Sequence, residues 1–150
     1  MNRKHTINPS CLLGMMMVLS LAAFEASAGT AVVIVNKDNP AATMNEAEVK
    51  SYFLKSRKTW PNGEKVRQID QKSGVERNAF LNQVLKLSDQ ELVRHWVEKQ
   101  YATAEPPPMQ VDSDSAVLKF VGAFKGGIGV VNKTALEGTD TVKSVLEINF

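Results

Sequence analysis

The chain has 150 residues, 18 Lys and Arg against 16 Asp and Glu for a net charge of +2, and 43% apolar and 23% charged residues. These proportions belong to an ordinary globular chain and exclude a disordered, collagenous or disulfide-framework protein. The near balance of charge leaves no basic stripe of the kind that binds nucleic acid.

Arg3 and Lys4 precede an apolar run from Cys11 to Phe24, and Ala26-Ser27-Ala28 follows it. A charged start, an apolar middle and a small-x-small end make a secretory signal peptide. The run is shorter than the about 20 apolar residues that a membrane span needs. The expectation is therefore a signal over residues 1–28 and one exported domain over residues 29–150, not membrane-spanning after cleavage. The single cysteine, Cys11, leaves with the signal, so the exported part has no disulfide, thiol nucleophile or lipid anchor. His5 leaves too, and His95 remains alone. A zinc site usually takes three or four ligands, so neither a metal nor a cofactor is expected. An exported domain without disulfides fits a bacterial periplasm.

Ala31 to Asn36 (AVVIVN) is a β-branched run and predicts a buried strand, stopped by Asp38-Asn39-Pro40. Asn45 caps a helix to about Leu54, with Glu46 and Glu48 in its first turn and Val49, Tyr52 and Phe53 on its apolar face. Lys55 to Lys65 is a polar loop that turns at Trp60-Pro61-Asn62-Gly63, and Lys65 to Asp70 reads as an alternating strand. Ser73-Gly74-Val75-Glu76 has the capping-box pattern, ahead of a helix carrying Phe80, Leu81, Val84 and Leu85. Ser88-Asp89-Gln90-Glu91 repeats that pattern before Leu92, Val93, Trp96, Val97 and Tyr101 at helical spacing. Two helices thus meet at a corner near Leu87-Ser88.

Pro106-Pro107-Pro108 makes a rigid connector. Ser113 caps a helix with Val117, Leu118, Val121 and Phe124, and Gly126-Gly127 is expected to end it through positive φ. Ile128 to Asn132 and Val142 to Phe150 are the last strands. Strands alternating with helices define an α/β class with a mainly parallel or mixed sheet.

Taken in order, VVIVN-x-x-NP, R-K-T-W-P-N-G, I-D-Q-K-S-G with R-N-A-F, the Trp96 helix, the proline run, V-D-S-D-S-A-V and G-G-I-G-V-V are a specific set. From about Ala31 to Val131 the chain resembles the periplasmic phosphate-binding-protein-like domain of phosphate ABC transporter substrate-binding proteins, and most of all its short, single-lobe members. The resemblance implies one lobe of a type-2 periplasmic-binding-protein fold, a mixed sheet flanked by helices. In full-length relatives, about twice this size, two such lobes clamp an oxyanion between them.

The candidate site is Ser73-Gly74-Val75 at a helix start, where free N–H groups and the positive dipole end attract an anion. The resemblance places Ser-Gly-Thr there; this chain has Val75 in the Thr position. It has Ile69 and Asp70 where relatives supply an Arg, and Arg77 matches an Arg that short members carry early in the helix. Lys72 could neutralise an anion or stand as a solvated surface lysine. Asp70 ends a strand, where ligands gather in α/β sheets; it could accept the proton of a monohydrogen oxyanion or serve as a turn residue. Ser113 could face the same cleft or act only as a cap, and Ser73 likewise reads as a ligand donor or as a simple cap. His95 reads as a half-exposed helix residue and Trp60 as a packing anchor.

No nucleophile-and-base constellation is present, so no enzymatic activity is expected. Two functions compete. One is a periplasmic solute-binding-like protein for phosphate or a similar oxyanion, linked to an ABC permease. The other is an envelope interaction module that kept one lobe and binds a partner protein or, as a homodimer, itself.

Overall fold

The structure is a computed structural model and describes residues 28–150. The expected signal falls almost wholly outside the described residues. Five strands, β1 (Thr30–Asn36), β2 (Arg67–Gln71), β3 (Met109–Val111), β4 (Gly127–Asn132) and β5 (Val142–Asn149), form one sheet in the order β3-β2-β4-β1-β5. β2 runs parallel to both β3 and β4, whereas β1 is antiparallel to β4 and β5. The sheet is therefore mixed, and the α/β class read from the sequence holds.

β1 explains why the sheet is covered on both faces. Its residues alternate between two cores, as side chains on a strand must. Ala31, Val33 and Val35 join one core; Val32 and Ile34 join the other. The first core is filled from α1 (Glu46–Phe53), α2 (Val75–Phe80) and α3 (Asp89–Thr103), through Val49, Phe53, Phe80, Leu92 and Trp96 among others. The second is filled from α4 (Asp114–Ala123) by Val117 and Val121.

The helix starts follow local chemistry. Asn45 closes a full capping box with Glu48, as does Ser88 with Glu91, and Ser113 accepts from the Ala116 N–H. Each satisfies donors that a first helical turn leaves without an acceptor. Trp60 is the anchor of its loop: it stacks on Tyr52 at 4.1 Å between ring centroids, and its Nε1–H donates to Gly126 O at 3.1 Å.

Several expectations are corrected. The residue capping α2 is Gly74, not Ser73, and it makes no side-chain cap bond. The Glu76 carboxylate of the expected box instead accepts from Asn132 Nδ2 at 2.8 Å, because β4 ends beside it. Gly126 and Gly127 do not have positive φ. α4 ends at Ala123 with Phe124 extended, and glycine is needed at 126 because a Cβ there would sit 1.8 Å from Lys65 O.

β2 does not alternate, since Gln68, Ile69, Asp70 and Gln71 are all buried. Parallel neighbours on both sides and helices over both faces bury it from Gln68 onward, leaving only Arg67 exposed. On α3 only Leu92 and Trp96 are buried, while Val93, Val97 and Tyr101 face outward.

Candidate functional site

The candidate residues gather at the carboxyl ends of β2, β3 and β4. Gln71 pairs with Val111 across the parallel β2–β3 ladder, and the Lys72 N–H donates to Val111 O at 3.0 Å. The start of α2 and the start of α4 therefore open side by side. Ser73 and Ser113 are both exposed there, and Gly74 takes φ +141°, a conformation that a side chain would strain.

The polar groups between the two helix starts are joined to one another. Gln71 Nε2 donates to Asp114 and, at 3.3 Å, to Val130 O. The second Asp114 oxygen accepts from the Asn132 N–H at 3.2 Å, and Asn132 Nδ2 donates to Glu76. Lys72 reaches the exposed Asp112 at 2.8 Å. Carboxylates thus stand where positive helix ends draw negative charge. Gln71, Asp114 and Asn132 were not among the residues singled out in the sequence, and Glu76 figured there only in the expected capping box. A Gln at a strand end and an Asp after a Ser cap give no local sign that they meet.

Asp70 and Arg77 lie deeper. Each is 6% exposed, and Arg77 Nε donates to both Asp70 oxygens at 3.2 and 3.3 Å. Arg77 Nη1 donates to Asp89 in the first turn of α3. Burial pushes the Asp70 carboxyl above its ordinary value, and the Arg77 charge offsets only part of that. Asp70 is therefore a buried ion-pair partner rather than a turn residue, and Arg77 spends its fork on two carboxylates of the chain itself. His95 is half-buried on α3, with Nε2 3.3 Å from Leu54 O.

Among the described residues no cluster of three or more His, Cys, Asp or Glu side chains could hold a metal ion. No described helix is long and apolar enough to cross a membrane.

No protein-family model matches the chain, and no curated protein matches it. Solved structures do. A phosphate ABC transporter substrate-binding protein from Clostridium perfringens, described with bound phosphate, superposes with a TM-score of 0.61 at 16% identity, over 79% of this chain and 44% of that one. An ABC-type phosphate transport receptor from Vibrio cholerae gives 0.61 at 15% identity, over 79% and 46%. PstS from Borrelia burgdorferi gives 0.57 at 13% identity, over 79% and 47%.

The chain has the fold of a lobe of these periplasmic-binding-protein-like structures. It spans less than half their length.

Proposed function

We propose that the chain is a periplasmic solute-binding-like protein that takes a small oxyanion, phosphate first, at the paired starts of α2 and α4, and that it serves ABC-type uptake. The observation that carries this reading is the side-by-side opening of those two helix starts at the carboxyl ends of parallel strands, in a fold shared with phosphate-transport proteins. First-turn N–H groups, the Ser73 and Ser113 hydroxyls and the Lys72 ammonium are the donors; Gly74 and Val75 bring the backbone close. Asp70 and Arg77 act from beneath, holding the β2–α2 turn in place. Binding is non-covalent and needs no cofactor.

An incoming oxyanion competes with Glu76, Asp112 and Asp114 for these donors. The same carboxylates favour a second reading, an envelope interaction module whose lobe edge meets a partner protein or a second copy.

A thermal-shift titration with phosphate, sulfate, molybdate and citrate at constant ionic strength separates the two. A ligand at 100 times its dissociation constant stabilises by about 2.7 kcal/mol, which raises the melting point by several degrees. A saturable rise with one oxyanion, lost in Gly74→Asp and reduced in Lys72→Ala, supports oxyanion binding. No rise with any of the four overturns it in favour of the interaction module.

A further inference from the structure

α3 is held to the body along one side only. Leu92 and Trp96 are buried, Lys99 Nζ donates to Lys55 O at 3.1 Å, and His95 reaches Leu54 O. The opposite side carries Val93, Val97 and Tyr101, which are 62%, 47% and 90% exposed. Residues four apart stack above one another on a helix, so these three form a single apolar stripe. They account for half of the large exposed apolar residues in the described part of the chain. Singly exposed apolar residues are ordinary, whereas a contiguous stripe marks a contact surface.

The charges beside the stripe indicate what covers it. Arg94 and Glu98 are exposed and lie one helical turn apart on the same flank, and neither makes a close ion pair among the described residues, Arg94 acting on Glu91 only at longer range. When two identical helices pack antiparallel about a two-fold axis, each flank meets the same flank of the other copy. Centred near Trp96 and Val97, that arrangement sets Arg94 of each copy against Glu98 of the other, twice, with the Val93, Val97 and Tyr101 stripes between them. A parallel pairing would instead set this flank against the opposite flank of the other copy, where neither Arg94 nor Glu98 stands.

We propose that the outer face of α3 is a self-complementary surface that pairs antiparallel with the same face of a second copy of this chain. The 15-residue helix is about 22 Å long. A helix pair of that length falls short of the roughly 1,600 Å² of a standard stable interface, so the association is reversible and concentration-dependent. It is independent of oxyanion binding and is read without any anion present.

Sedimentation of the purified protein over a concentration series, at low and high salt, tests the pairing. The parent is expected to dimerise reversibly, more weakly at high salt. Val97→Lys, at an exposed position that leaves the fold intact by circular dichroism, is expected to remain monomeric. Arg94→Glu and Glu98→Arg are each expected to weaken the dimer, and the double variant R94E/E98R to restore it. A parent that is monomeric throughout, a dimer that persists in Val97→Lys, or a double variant no better than the singles would each overturn the proposal.

Discussion

Arg77 ties the end of β2 to the first turn of α3: its guanidinium donates to Asp70 on the strand and to Asp89 on the helix. It joins the floor of the candidate site to a helix otherwise held by few side chains. Arg77→Met is expected to strand a buried carboxylate and to cost about 3–5 kcal/mol, because an uncompensated buried charge is far worse than a missing pair. Urea denaturation of the two proteins measures it. A cost below about 1 kcal/mol would mean that the pair is exposed in solution.

The same pair gives a pH dependence with a definite sign. Asp70 holds its proton more readily in the fold than its ordinary value of 3.8 implies, because burial penalises the charged form. Its contribution is fully present below the unfolded value and is lost as pH rises through the raised folded value. The stability of the parent relative to Asp70→Asn is therefore expected to fall as pH rises through the window just above 3.8 and to level off beyond it. Chemical denaturation of both proteins at several pH values checks this; a difference that grows with pH would reverse the assignment.

Helix capping separates three serines and an asparagine that look alike in the sequence. Asn45→Ala and Ser88→Ala each remove a side-chain cap within a complete capping box and are expected to cost about 1 kcal/mol. Ser113→Ala loses the bond to the Ala116 N–H and is expected to cost a similar amount. Ser73→Ala loses no cap, because Gly74 occupies that position, and is expected to leave stability unchanged. Thermal melts of the four variants would show the contrast.

Gly126 and Gly63 are glycines for different reasons. Gly126→Ala forces a Cβ against the Lys65 carbonyl and displaces the turn that Trp60 Nε1 and the Arg67 N–H both donate to. It is expected to lower stability by several kcal/mol, as overpacking and a lost hydrogen bond combine, on the order of 3 kcal/mol. Gly63→Ala has open space around it but a φ of +85°, and only the strain of that conformation is expected, about 1 kcal/mol. Equal losses at the two sites would contradict the close approach at 126.

If an oxyanion binds between α2 and α4, the chain's own carboxylates weaken it. Glu76→Gln keeps a partner for Asn132 while removing a negative charge from the first turn of α2. Phosphate affinity is expected to rise several-fold in Glu76→Gln, in line with the roughly 0.3–1 kcal/mol of a charge near a helix end. Isothermal titration measures it, and unchanged or weaker binding would place the anion elsewhere.

Much of the framework was legible along the chain. β1, β4 and β5 announce themselves by β-branched runs. α1, α3 and α4 are marked by Asn45, Ser88 and Ser113, because a helix start must satisfy its first donors within a few residues. The role of Trp60 followed from its turn chemistry. The site was less legible. Ser73 followed by Glu76 three positions later has the same pattern as Ser88 followed by Glu91, yet only the second pair closes. The difference lies in Asn132, distant in sequence and supplied by β4, which takes the Glu76 carboxylate.

The outward face of α3 shows the same limit from the other side. Periodicity places Leu92, Val93, Trp96, Val97 and Tyr101 on one broad apolar sector, and only the packing of α3 against its neighbours decides that Leu92 and Trp96 are covered while the rest are not. The sequence by itself determined where most strands and helices lie and how most helix starts are satisfied, since those depend on hydrogen bonds and hydrophobic periods spanning a few residues. Tertiary structure alone decided the strand order, the burial of Asp70 with Arg77, the carboxylates at the two helix starts and the exposed stripe, since each depends on groups far apart in the chain being brought within a few ångströms.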